Sequence, residues 1–179
     1  RIGMAVAKIL KSFGCEVIGY DPLLSQPSRD LDFPLVSLDT LLEESDVITL
    51  HCPLTPDTHH LIDRRSLAKM KNGVMLINTS RGGLIDTYAV IRAMKDRKIG
   101  YLGLDVYEEE EDIFFQDLSG SVIQDDQFAR LLTFPNVLIT GHQAYFTSHA
   151  LQQIAHTTLS NISEFEETSS CQNALSPMR

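Results

Sequence analysis

The chain has 179 residues, 43% of them hydrophobic, a length that fits roughly one domain of about 100–200 residues. Its 15 basic and 24 acidic residues leave a net charge of −9, which excludes the basic face a nucleic-acid partner requires. No apolar run approaches the ~18 residues of a membrane span, and no secretory signal is read at the start.

Ile2, Val6, Ile9, Leu10 and Phe13 fall at helical spacing, with Gly14 placed as a stop. The chain opens on Arg1 in place of Met and enters directly on this helix, so a fragment of a longer protein is expected. Glu16–Tyr20 reads as a strand. Val36–Glu43 reads as a short helix capped by Ser37 or Asp39, and Asp46–Leu50 as a second strand. Asp63–Met70 is a helix and Gly73–Asn78 a third strand. Asp86 caps a helix running to Asp96, and Ile99–Leu104 is a fourth strand. Asp126–Leu132 is helical, Asn136–Thr140 is a fifth strand, and Ser148–Phe165 has helical periodicity. The end of the chain, 167–179, is polar and expected to be mobile.

Strands alternating with helices imply parallel pairing and an α/β fold. The strands are continuous apolar runs, as in a sheet covered on both faces. Cys15, Cys52 and Cys171 are odd in number and form no CxxC pair, so neither a disulfide framework nor a zinc site is expected. A reducing, cytoplasmic compartment fits that usage. The acid run Glu108–Asp112 reads as a solvated loop.

Each strand ends in a polar or special residue: Asp21-Pro22, His51-Cys52-Pro53, Thr79 to Gly83, Asp105, and Gly141-His142. Parallel strands bring these groups to one carboxyl edge, where open α/β sheets bind ligands. A helix opening at Arg1-Ile2-Gly3 offers backbone N–H groups suited to a pyrophosphate. Asp21, at the end of the next strand, suits ribose hydroxyls and repels a 2′-phosphate, which favours NAD over NADP; Asp before Pro is also a common turn starter. His142 can exchange a proton near neutral pH. Arg81, followed by two glycines, can grip a carboxylate with two hydrogen bonds, or form a surface salt bridge. His51 closes a strand, His59 and His60 lie in a polar turn, and His149 and His156 lie on a helix; no role is assigned to them. No His and acid residues share metal-ligand spacing on a helix, so no metal is expected.

The segments RIGMAVAKIL, GYDP, DVITLHCPLTPDTHHLID, KMKNGVMLINTSRGGLIDTYAVIRAMKDRKIGYLGLDVYEEE and PNVLITGHQAYFT resemble the D-isomer-specific 2-hydroxyacid dehydrogenases. Within that family the fermentative D-lactate dehydrogenases look closest. The resemblance implies a Rossmann-type doubly wound sheet lacking its first strand and most of the substrate domain. Residues 1–142 then form the NAD-binding domain, and 143–166 a C-terminal helix returning towards the substrate domain.

The resemblance also implies roles. Arg81 holds the substrate carboxylate and oxo group, His142 donates the proton, and Glu110 is the carboxylate paired with it. Asp105 meets the nicotinamide carboxamide and Asp21 the adenosine ribose. Arg1 and Ile2 make backbone pyrophosphate contacts, while Cys52, Pro53, Thr58, Thr79 and Ser80 make further cofactor contacts. A carboxylate beside the histidine favours the imidazolium that reduction of a 2-oxo acid needs. The implied substrate is a small 2-oxo or 2-hydroxy acid, pyruvate and D-lactate first. The implied assembly is a homodimer. Two alternatives share the motifs: a dehydrogenase for another D-2-hydroxy acid of glycerate, phosphoglycerate or bulkier type, and a non-enzymatic NADH-sensing corepressor on the same scaffold.

Overall fold

Capping and apolar periodicity decide most element boundaries. The structure, a computed structural model, describes residues 1–23, 32–115, 117–118 and 120–175. Helix α1 spans Ile2–Ser12. It closes in a Schellman turn, with Gly14 N–H donating to the Lys11 carbonyl and Cys15 N–H to that of Leu10. The turn requires a left-handed residue, and Gly14 supplies it at φ +84°. Helix α2 (Leu38–Glu44) is capped by Ser37, not Asp39: the Ser37 hydroxyl accepts from Thr40 N–H. Strand β1 (Val47–Leu50) follows, then α3 (Arg64–Lys69) behind a capping box of Asp63 and Ser66. Strand β2 is Val74–Asn78, and α4 is Thr87–Lys95, capped by Asp86. Strand β3 (Ile99–Leu104), α5 (Asp126–Leu131), β4 (Val137–Ile139) and α6 (Ser148–Thr168) complete the order.

The four strands form one parallel sheet in the order β1-β2-β3-β4. The fold is a Rossmann-like α/β arrangement, parallel strands joined through helices. One face of the sheet is buried along β1 to β3 at Ile48, Leu50, Val74, Leu76, Leu102 and Leu104, and half-buried on β4 at Val137 and Ile139. They share one core with Leu42 of α2, Leu67 of α3, Val90, Ile91 and Met94 of α4, and Phe128 and Leu131 of α5.

Three expectations change. Among the described residues, Glu16–Tyr20 does not join the sheet; only Gly19 pairs, in an isolated parallel bridge with Leu35. Its N–H donates to the Pro34 carbonyl and its carbonyl accepts from Val36 N–H. Pro34 has no N–H to extend a ladder. Burial on both faces of the sheet also fails among the described residues. Met75 and Ile77 are half-buried, and Val47, Tyr101 and Leu138 on the same face are 48%, 60% and 70% exposed. Finally, the last helix runs beyond the expected end at Phe165. Helix α6 runs to Thr168, and beyond it Gln172 N–H donates to Glu164 and Asn173 to Asn161. The last four positions, 176–179, lie outside the described residues.

The chain divides into two compact units, Arg1–His142 and Gln143–Arg179. The second is α6 with its short return. No described helix is long and apolar enough to cross a membrane.

Candidate active site

Parallel register builds the site's edge. Leu50, Asn78 and Leu104 are partners across β1, β2 and β3, and Ile139 partners Leu104 on β4. The residues that follow them, His51, Thr79, Asp105 and Thr140, therefore stand in a row along the carboxyl edge. Helix α1 begins at the same edge, because a Cβ on Gly3 would lie 3.3 Å from the His51 ring. Asp21 follows the segment bridged through Gly19 and lies close enough to Cys52 for its charge to bear on that thiol.

His142 is the centre of the row's far end. Its backbone is left-handed at φ +51°, a conformation non-glycine residues hold at a cost of about 1–3 kcal/mol. Two bonds over-determine it: its N–H donates to the carbonyls of Asp105 at 2.7 Å and Thr140 at 3.1 Å. Its ring Nδ1 donates to Glu110 Oε1 at 2.9 Å. Glu110 Oε2 accepts in turn from Tyr107 N–H at 3.0 Å. Both side chains are largely enclosed, at 29% and 15% exposure, so their pairing is weakly screened. Tyr107 is anchored from behind. Its hydroxyl donates to Asp125 at 2.7 Å, and burial raises its proton affinity far above the usual phenol range.

Arg81 is presented by a turn that Asn78 organises. Asn78 is fully buried at the end of β2; its amide N–H donates to the Arg81 carbonyl and its oxygen accepts from Ser80 N–H. The Arg81 guanidinium is exposed and donates to the Ser80 carbonyl at 2.8 Å. The glycine behind it lets two backbone segments of the chain meet. A Cβ on Gly82 would stand 2.1 Å from the Tyr107 carbonyl carbon and 2.5 Å from Glu108 N. The Arg81 turn thus lies directly on the segment that carries Glu110, and the two line one cleft of about 210 Å³.

The expected cofactor residues spread along the edge. Arg1 precedes α1 without capping it, and among the described residues no side chain caps that helix. The N–H groups of its first turn thus remain as donors. Ile2 is 68% exposed. Asp21 accepts from Leu23 N–H, so it also makes the turn that its Pro22 neighbour suggests. Cys52 is half-buried, and burial pushes its thiol above the usual range, keeping it uncharged at neutral pH. Its carbonyl accepts from the Ser80 hydroxyl at 2.6 Å. The Thr58 hydroxyl donates to the Pro53 carbonyl at 2.7 Å. Both hydroxyls are therefore engaged in shaping backbone turns. Thr79 is exposed at the head of the β2 turn. Asp105 is buried, and its carboxylate accepts from the Thr140 hydroxyl. His51 is half-buried, which holds it below the ordinary histidine range and so neutral.

The acid run is not uniformly solvated. Glu109 and Glu111 are exposed, whereas Glu108 and Glu110 are enclosed. Glu108 Oε1 accepts from His60 Nε2 at 2.5 Å and Oε2 from the Thr87 hydroxyl at 2.8 Å. Reading the sequence missed His60, Thr87 and Glu108 as a group. The sequence held no signal for it, because five consecutive acids look alike along the chain.

Residues 1–144 match the NAD-binding domain of the D-isomer-specific 2-hydroxyacid dehydrogenases. The chain is 53% identical over 175 residues to a D-lactate dehydrogenase of Escherichia coli, covering 98% of this chain and 53% of that protein. A D-lactate dehydrogenase structure from Treponema pallidum superposes at a TM-score of 0.91 with 35% identity, over 98% of this chain and 53% of that one. A D-lactate dehydrogenase with NAD+ from Lactobacillus jensenii superposes at 0.88 with 32% identity, over 98% and 52%. The chain spans about half the length of the relatives it matches.

Proposed function

From a chain that belongs to the D-isomer-specific 2-hydroxyacid dehydrogenases, we propose that it forms the nicotinamide half of an NAD-dependent D-lactate dehydrogenase, which interconverts pyruvate and D-lactate. The observation that carries this reading is the Glu110–His142 pair, joined at 2.9 Å at the carboxyl edge and next to the cleft of Arg81. The residues present fit NAD. The first turn of α1 lies beside His51 with no side chain capping it, as a pyrophosphate needs. Asp21 suits ribose hydroxyls and disfavours a 2′-phosphate. Asp105 holds a buried acceptor on the same edge for the carboxamide.

The cofactor supplies the hydride. The chain's own residues supply the rest. Arg81 holds the carboxylate of the 2-oxo acid through its planar fork. Negative charge grows on the carbonyl oxygen as reduction proceeds, and Arg81 stabilises it electrostatically. His142 delivers a proton to that oxygen from Nε2, because Nδ1 is committed to Glu110. Glu110 fixes the ring's orientation and its Nδ1–H tautomer. D-Lactate oxidation uses the same groups in reverse, with His142 accepting the proton.

The test is NADH oxidation by this chain extended upstream to its relatives' length, with pyruvate, 2-oxobutyrate, hydroxypyruvate and phenylpyruvate. Turnover strongest on pyruvate, forming D-lactate, is expected. His142→Ala is expected to lower the rate by about 10²–10⁴-fold, the usual contribution of a general acid. Turnover strongest on hydroxypyruvate or phenylpyruvate reassigns the substrate to another D-2-hydroxy acid. NADH binding without turnover on any of them moves the reading to an NADH-sensing protein on the same scaffold.

A further inference from the structure

Glu108 stands two residues before Glu110, and its carboxylate binds a different set of partners. Oε1 accepts from His60 Nε2 at 2.5 Å; Oε2 accepts from the Thr87 hydroxyl at 2.8 Å and from Thr87 N–H at 3.3 Å. Each partner belongs to a separate segment. Thr87 is the buried first residue of α4. His60 sits in the turn after β1, in a left-handed backbone at φ +51°, and its N–H donates to the Gly83 carbonyl at 2.8 Å. Two residues on, Ile62 bridges Ile85 in parallel, so the turn carrying His60 is laced to the turn carrying Arg81. The Arg81 turn also lies against Glu108 from the other side, through Gly82.

We propose that Glu108, held between His60 and Thr87, is a positioning residue that sets the Tyr107–Glu110 backbone so that Glu110 meets His142, and seats the Arg81 turn beside it. This rests on the catalytic reading of Arg81, Glu110 and His142 given above. The chain of contacts is short. Glu108 fixes the backbone next to Tyr107, and Tyr107 N–H holds Glu110 Oε2. A catalytic carboxylate misplaced by about 1 Å can cost ~10²-fold in rate, so a clamp one peptide away has kinetic weight. The clamp is 25% exposed at Glu108 and 34% at His60, hence shielded from competition by bulk water. Burial raises the Glu108 carboxyl, but the bonds from His60 and Thr87 outweigh it and hold the group ionised, below its ordinary range.

The same cluster has metal-binding composition, since ligand atoms of His59, His60 and Glu108 all lie within 4.8 Å of one another. The geometry favours the clamp. The His59 and His60 rings stack at 3.9 Å with 27° between their planes, so their in-plane lone pairs run side by side and do not converge. Both Glu108 oxygens already receive O–H or N–H donors.

The experiment compares His142 ring ¹³C and ¹⁵N chemical shifts at fixed pH in histidine-labelled protein. Glu110→Gln supplies the reference for a lost pair. Glu108→Ala is expected to move the His142 signals most of the way to that reference. Glu108→Gln keeps an acceptor for Thr87 and is expected to stay near wild type. If Glu108→Ala does not fold, Thr87→Val and His60→Gln each remove one bond and are expected to give smaller displacements in the same direction. Unchanged His142 signals in folded variants, with only the melting temperature lowered, overturn the proposal and leave a purely structural clamp. The readout needs no turnover. Displaced signals in a chain without dehydrogenase activity retain the clamp and remove the reaction; unmoved signals in an active enzyme do the reverse.

Discussion

Glu110 and His142 are 32 residues apart in the chain and 2.9 Å apart in space. A carboxylate that accepts from Nδ1 fixes the ring's orientation and leaves Nε2 as the nitrogen that can deliver a proton. Glu110→Gln keeps a hydrogen-bond acceptor and removes the charge. The expected outcome is a fall of about 10²-fold or more in kcat/KM for reduction; an unchanged rate sinks the role assigned to Glu110. Arg81 and His142 were legible from the sequence because a special residue after an apolar strand has one natural location, the sheet edge. Glu110 was legible only through family resemblance, since a run of like charges gives no direction. Glu108 was illegible for the same reason. Its partners lie at 48 and 21 residues' separation, and no local spacing announces them. Gly82 was legible as a required glycine, but its reason was not. The backbone it admits is that of Tyr107 and Glu108, which only the fold brings there.

At the scale of elements, helix starts were the most readable feature, because a cap is a local bond. Asp63 accepts from the N–H groups of Arg65 and Ser66, both at 2.8 Å, while the Ser66 hydroxyl accepts from Asp63 N–H. The bond from Ser66 N–H is the main reason its carboxyl lies below the ordinary range. A depressed carboxyl contributes stability that is present above its unfolded pKa and is lost as pH falls through the lower folded value. Asp63→Ala is therefore expected to cost about 1 kcal/mol at neutral pH. The difference from wild type should shrink in acid below the ordinary carboxylate range, measured by denaturant unfolding at several pH values. Strands were readable where apolar runs meet partners on the buried face. Glu16–Tyr20 shows the limit. Its composition is that of a strand, yet a strand is a pairing between segments, and only Gly19 finds a partner among the described residues.

Over the whole molecule, the core is one continuous cluster on a single face of the sheet, and Leu76 is at its centre with no exposed surface. Leu76→Ala leaves a cavity within this cluster and is expected to cost about 2–5 kcal/mol. The measurement is thermal unfolding, where a drop of several degrees is expected and an unchanged transition contradicts the core assignment. Amino-acid order by itself determined most element types, the Asp86 cap, the parallel α/β class and the carboxyl edge on which polar residues gather. Those features follow from periodicity, capping chemistry and strand direction, all short-range properties of the chain. Tertiary structure alone decided that, among the described residues, one sheet face is closed and the other open, that alternate acids of 108–111 turn inward, and that Glu108 joins His60 to Thr87 beside the Glu110–His142 pair. Each of these depends on which distant segments share a surface, and burial and charge pairing act through space, with no record in the spacing of residues along the chain.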